Sequence, residues 1–180
     1  WNDEAASVAV DSRNNIIVAG YGRTNIATPT DHYWSITKFD EDGNVKWFYT
    51  YDVPEVEDQA VGVAVDSGDN FVVVGYDRNT SLSADYEWRL MKFNSTNDKL
   101  WDIPYNITSG NDRPTGVAID HENNTVVVGY YNASSKKNDY GWWIAKFDED
   151  GKQLWNRSRN FSDYYDWPYG VAIDYDNNIT

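Results

Sequence analysis

Residues 62–78 read GVAVDSGDNFVVVGYDR. Two short apolar runs flank a turn of Ser, Gly, Asp and Asn. Residues of this kind bond their own main chain and tolerate left-handed backbone, so the stretch predicts two antiparallel strands joined by a tight turn. The first strand ends at Asp66 and the second closes on Gly75-Tyr76. No helical periodicity of useful length appears here or elsewhere in the chain.

The same pattern recurs. SVAVD ends at Asp11, GVAVD at Asp66, and GVAID at Asp120 and again at Asp174, with spacings of 55, 54 and 54 residues. Gly-Tyr pairs close the second run at Gly20-Tyr21, Gly75-Tyr76 and Gly129-Tyr130. A Trp follows at Trp34, Trp88 and Trp142, then Lys-Phe at Lys38-Phe39, Lys92-Phe93 and Lys146-Phe147. A second Trp comes at Trp47, Trp101 and Trp155, and an Asp reopens the cycle at Asp3, Asp58, Asp112 and Asp166. Each period reads as four short strands. The repeats span 3–57, 58–111 and 112–165, and 166–180 begins a fourth.

Four antiparallel strands in a period of this length are the signature of a β-propeller blade. A blade cannot bury both faces alone and needs a neighbour on each side. That explains why the second and third strands are apolar on both faces. In the third strand of the third repeat, Trp142 and Ile144 point one way, and Trp143, Ala145 and Phe147 the other. The expected fold class is therefore all-β. Propellers usually close with four to eight blades. Three repeats and one strand of a fourth should not close, so the chain is expected to be an arc of a larger ring or a unit completed by another chain.

The ordered set GVAVD, Asp/Gly/Asn turn, apolar run ending in Gly-Tyr, then Trp-x-x-x-Lys-Phe-Asp-x-x-Gly-x-x-x-Trp resembles the extracellular β-propeller repeats of the SBBP type, and more distantly NHL repeats. It recurs along the whole chain. The resemblance implies a scaffold rather than a reaction, with the first strand of each repeat lining a central channel. The second repeat departs at Asn94-Ser95-Thr96-Asn97, where the Asp-x-x-Gly turn is lost. The resemblance therefore does not make that turn a required metal site in every repeat.

Composition excludes several classes. The 180 residues carry 15 basic and 29 acidic side chains, a net charge of −14. That argues against nucleic acid and anionic membrane surfaces. No apolar run approaches the ~20 residues of a membrane span. Without cysteine there are no disulfides, thiolate zinc sites or Cys nucleophiles. A hydrophobic fraction of 41% with 16% aromatics is enough to fill a core.

Eight Asn-x-Ser/Thr sequons start at Asn79, Asn94, Asn106, Asn123, Asn132, Asn156, Asn160 and Asn178. Random placement of 19 Asn and 23 Ser or Thr would give roughly 2.4. The excess predicts a secreted chain bearing N-linked glycans, most of them in turns and loops. Asn156, beside Trp155, fits this least well. The acidic turns around Asp40 and Asp42, and around Asp148 and Asp150, are the candidate calcium ligands. Calcium wants six to eight oxygens and commonly a distant bidentate Glu, so solvated hairpin turns are the favoured reading and no cofactor is expected. These turns also lack the Asp-x-Gly of the sialidase Asp-box, because Asp42 adjoins Gly43.

The recurring carboxylates Asp11, Asp66, Asp120 and Asp174 do not suit a glycosidase pair, since a catalytic pair breaks symmetry. They are expected to bond turn amides or to pair with Lys38, Lys92 and Lys146. His32 and His121 fall at different phases and are expected at the surface. Six of the nine Trp hold repeat positions and serve packing. Tyr164, Tyr165 and Trp167 lie off the pattern and are the candidate ligand or partner contacts.

The sequence thus predicts a non-catalytic extracellular module, a glycosylated scaffold of a cell-surface or filament-forming protein. Its expected partners are other copies of the chain or the remaining blades of a longer parent, with carbohydrate as a further candidate. Neither nucleic acid binding nor membrane insertion is expected. The alternatives are a glycan-processing lyase or hydrolase, which a non-repeating charged cluster on one rim would favour, and a carbohydrate-binding lectin. The sequence shows no such cluster. Abundant sequons, acidity and no Cys suit an archaeal surface protein. Trp1 is not an initiator Met, so a processed or excised chain is expected.

Overall fold

The computed structural model describes residues 3–23, 31–54, 56–78, 85–133, 139–162 and 164–180. Among them are twelve strands and no helix. The first sheet holds β1 (Glu4–Val10), β2 (Ile16–Arg23), β3 (His32–Phe39) and β4 (Val45–Tyr51). The second holds β5 (Gln59–Val65), β6 (Phe71–Arg78), β7 (Tyr86–Phe93) and β8 (Lys99–Tyr105). The third holds β9 (Arg113–Ile119), β10 (Thr125–Asn132), β11 (Tyr140–Phe147) and β12 (Gln153–Arg159). Each is an antiparallel meander in chain order, and the three sheets do not close on themselves. The third strand of each sheet starts two residues ahead of the expected Trp, at His32, Tyr86 and Tyr140, because it pairs with the full length of the strand before it.

The sheets stack face to face, and β6 shows why its sequence is apolar throughout. Phe71 and Val73 pack with Ile17, Ala19, Trp34 and Ile36 of the first sheet. Val72 and Val74 pack with Val127, Ala145 and Phe147 of the third. All four β6 residues are fully buried. Burying such a side chain stabilises by roughly 1.5–3 kcal/mol, whereas a hydrogen bond nets about 1 kcal/mol. Stacking therefore outweighs the polar contacts at the joints. The β11 side chains divide as their alternation predicts. Ala145 and Phe147 enter the core against the second sheet, while Trp142 and Ile144 line the far face.

The turn after the first strand of each repeat is one device built three times. The Asp11 carboxylate accepts from the Arg13 and Asn15 main-chain N–H groups and faces Lys38 Nζ at 3.1 Å. Asp66 does the same with Gly68, Asn70 and Lys92 at 3.1 Å. Asp120 repeats it with Glu122, Asn124 and Lys146 at 2.6 Å. Asn14, Asp69 and Asn123 hold the left-handed apex. These apices also join the sheets: Ser12 N–H donates to Asp69 at 2.8 Å and Ser67 N–H donates to Asn123 at 3.1 Å. Asn177 lies at the same apex of the fourth turn and accepts from His121 N–H at 3.1 Å.

The Gly of the second and of the third Gly-Tyr pair receives an indole from the sheet before it. Trp34 Nε1 donates to the Tyr76 carbonyl at 3.1 Å, and a Cβ on Gly75 would lie 2.5 Å from its Cζ2. Trp88 packs on Gly129 as closely, its Cζ2 2.6 Å from such a Cβ, but its buried Nε1 has no hydrogen-bond partner among the described residues. A Gly75→Ala substitution should therefore cost about 3 kcal/mol, because the new methyl meets both the indole and the Gln59 carbonyl. Gly43→Ala meets no atom within 4 Å and bears only its positive φ, at about 1 kcal/mol. Denaturant titration of the two variants checks the ordering.

Candidate functional site

Non-repeating residues gather at the end of the second strand of each sheet, where the third begins. At the second sheet, the Glu57 carboxylate accepts from Tyr86 Oη at 2.6 Å, Tyr76 Oη at 3.0 Å and Gln59 Nε2 at 2.9 Å. The Arg113 guanidinium lies 4.1 Å from the ring centroids of both Tyr76 and Tyr86, donates to Tyr76 Oη at 3.0 Å, and stands 3.6 Å from Glu57. At the third sheet the same slot holds Trp167. Its ring stacks on Tyr130 at 5.2 Å and meets Tyr140 at 6.4 Å, while Tyr165 stacks on Tyr140 at 5.7 Å. The residue after the cycle Asp thus caps a ring pair of the preceding repeat, by a cation in one case and an indole in the other.

The candidate contacts therefore come together. Tyr165 and Trp167 share one aromatic cluster, and both remain largely exposed. Tyr164 is 73% exposed and adjoins it through the chain. Tyr130, Tyr140, Glu57 and Arg113 are the members that sequence reasoning missed. They were legible only as ordinary repeat positions or as isolated charges. The cluster supplies non-repeating charge on one rim, the feature a glycan-processing enzyme calls for. Its groups, however, are occupied with one another. Burial and the Glu57 carboxylate push the Tyr86 phenol up, and burial raises Tyr76, so neither is poised as a base or nucleophile. Although burial opposes it, the hydrogen bonds from Tyr86 and Tyr76 and the charge of Arg113 hold Glu57 below its usual value.

His32 corrects an expectation. It is buried, with its Nε2 accepting from Arg23 Nε at 3.3 Å and its ring edge-on to Tyr21. Its phase matches Tyr86 and Tyr140, so it fills the ring position of the first sheet. His121 is exposed, as expected.

The sequons differ in setting. Asn79 lies outside the described residues. Asn106 is exposed just beyond β8, and among the described residues no hydrogen bond holds its amide. Asn160 is exposed and donates to Asp139 at 3.0 Å. Asn94 and Asn178 lie in turns, where their amides donate to Asp98 and Asp174. Asn123 is the left-handed apex that accepts from Ser67. Asn132 ends β10, half-buried. Asn156 sits inside β12 rather than in a turn.

The candidate calcium turns are hairpins that satisfy their own backbone. The Asp40 carboxylate accepts from the Asp42 and Asn44 N–H groups, and Asp148 from those of Asp150 and Lys152. Asn94 builds the same turn with its amide oxygen, and Asn97 takes the left-handed place of Gly43 and Gly151. No group of three or more metal-ligating side chains occurs among the described residues.

The cycle carboxylates behave differently from those at the turns. The Asp112 carboxylate accepts from the Ile107, Thr108 and Asn132 N–H groups, and Asp58 from Val53 N–H. Both are fully buried, and burial outweighs these bonds, pushing Asp58 up to about 7 and Asp112 up to about 6. Asp11, although burial opposes it, is held at about 2 by the Asn15 and Lys38 bonds.

No family model and no curated protein matches the sequence. Among solved structures, a protein of unknown function from Bacteroides caccae is similar at 12% identity with a TM-score of 0.50. The match covers 89% of this chain and 48% of that one, so the chain spans about half the length of that structure. At this identity the likeness concerns the fold alone.

The two sets of carboxylates give opposite pH dependences. A raised folded pKa gives stability that is present below about 3.8 and lost as pH rises through about 6 to 7, the case of Asp112 and Asp58. A lowered one gives stability that is present above 3.8 and lost as pH falls through about 2, the case of Asp11. The melting midpoint should therefore peak on the acid side of neutrality and fall by several degrees toward pH 7. Asp58→Asn should shrink that fall, and scanning calorimetry across this range checks it.

Proposed function

We propose that this chain is an arc of a larger β-propeller of SBBP-like repeats, and that it serves as a non-catalytic, N-glycosylated extracellular scaffold. The repeats 3–57, 58–111 and 112–165 are its blades, and 166–180 starts another. One observation carries this reading: the joint between sheets is built twice and left half-made at each end. Trp142 holds the place of Trp34 and Trp88 but is 43% exposed, beside a cavity of about 460 Å³. Gly20 holds the place of Gly75 and Gly129, yet among the described residues the atoms nearest a Cβ there are the Glu4 and Ala5 backbone rather than an indole. Segment 166–180 supports the same reading, since Gly170 lies against Gly116 and Asn177 repeats the apex contact. Electron microscopy of the native protein should show a closed ring of about four to eight blades, and an open stack would sink the proposal.

Glycosylation is read from the excess of sequons, with Asn106 as the best-placed acceptor. The intact mass of the native secreted protein should drop on enzymatic glycan removal, with the loss mapping to Asn106. An unchanged mass would rule the glycoprotein reading out. Cell-surface or filament assembly follows from the same picture, with glycans projecting from exposed edges.

A lectin-like role is the second reading, and the exposed Tyr165 and Trp167 favour it, because flat rings stack on pyranose faces. Binding to a glycan array that vanishes in Trp167→Ala would support it. Absence of binding to every glycan would count against it.

A further inference from the structure

The outer face of the third sheet, which segment 166–180 covers only in part, differs chemically from the faces that make the two internal joints. The inward residues of the last strand of each sheet set this difference. In β4 they are Trp47, Tyr49 and Tyr51, and in β8 they are Trp101, Ile103 and Tyr105, all packed on the following sheet. In β12 the matching residues are Trp155, Arg157 and Arg159. Two positions that are aromatic or aliphatic at both finished joints are thus cationic here. In a chain of net charge −14, these guanidiniums have no carboxylate partner among the described residues. Arg157 donates to the Asn156 carbonyl and Arg159 to the Ser158 carbonyl.

The finished joints show what each position meets. Tyr51 Oη donates to Asp77, the residue after Gly75-Tyr76, at 2.7 Å. Ile103 lies beside Gly151, in the acidic turn of the next sheet, and Trp101 Nε1 donates to the Glu149 carbonyl of that turn at 3.0 Å. Tyr51 also lies under Arg89, 4.4 Å from the ring centroid, and Tyr105 accepts from Trp143 Nε1 at 3.3 Å. By the pattern of the first joint Arg159 faces the residue that follows the next Gly-Tyr pair, and by that of the second Arg157 faces the next turn of the Asp-Glu-Asp-Gly kind.

We infer that the open face of the third sheet selects, as its neighbour, a sheet of this chain's own repeat type bearing carboxylates at those two positions. Arg159 pairs with an acidic residue after the Gly-Tyr, and Arg157 with an acidic turn. The inference rests on the ring reading above and adds the chemistry of the neighbour. Two half-buried Arg–carboxylate pairs at one joint favour an acidic repeat after the third, since an aromatic neighbour offers the guanidiniums ring faces, as Tyr51 does Arg89, but no opposite charge.

The test extends the full chain after Thr180 with a copy of its own residues 127–165, which continues the repeat in register. One version keeps the copied Tyr131, and a second carries Tyr131→Asp in the copy only. Both retain the acidic turn. Oxidative footprinting by mass spectrometry reads the exposure of Trp142, and calorimetry reads stability. Trp142 should be protected in the extended chains. The Asp version should melt higher by roughly 3 °C or more. That difference should vanish in 1 M salt and in chains carrying Arg159→Gln. Equal midpoints, or a difference that survives Arg159→Gln, would overturn the selection by charge while leaving the ring reading intact. Failure of either extension to protect Trp142 would overturn both. So would light scattering that shows the unextended chain as a dimer with Trp142 already covered.

Discussion

Everything in this molecule depends on burying two faces of one thin sheet. A four-stranded meander of strands seven or eight residues long offers an apolar surface on each side and has little core of its own. Only the second sheet is covered on both sides among the three, and it is there that β6 is apolar without alternation and fully buried. The outer sheets share the same sequence pattern but keep half of it exposed. Val8, Val10 and Phe48 stand out on the first sheet, and Trp142 on the third. The stack is therefore a set of joints rather than a set of domains, which is how repeat architectures distribute stability.

The polar repeats serve those joints. The Asp of each Val-Ala-Val/Ile-Asp motif closes its turn, holds a Lys from the third strand, and sets the apex that bonds to the neighbouring sheet. Buried Lys–Asp pairs add little net stability over apolar residues of the same shape, but breaking one leaves a bare charge inside. They therefore act mainly on register, fixing each turn to its own third strand. The glycine of Gly-Tyr acts on spacing. A side chain there would displace the indole that the preceding sheet inserts, and the two sheets would part.

Variation is confined to places that the packing leaves free. The slot between ring pairs takes Arg113 at one joint and Trp167 at the next without disturbing the strands around it. The hairpin after Lys-Phe is built from Asp and Gly in two repeats and from Asn in the other, with the same backbone bonds. The rim and the last strands are where repeats differ, so they are where one joint is told from another and where a ligand or partner can be read.

The sequence by itself determined the strands, the turns, the repeat and both faces of the third strand, because periods of two and of 54 residues are written in the order of side chains. It also foretold the Lys–Asp pairs, since both members recur in phase. It did not reveal that His32 is buried, that Glu57 and Arg113 share two tyrosines, or that Arg157 and Arg159 have no carboxylate partner among the described residues on a face only partly covered. The Glu57–Arg113 contact joins residues of different repeats 56 positions apart, and no local pattern encodes it. Only the stacking of the sheets sets which non-repeating side chains meet, because the stacking fixes distances across joints that the chain order leaves open.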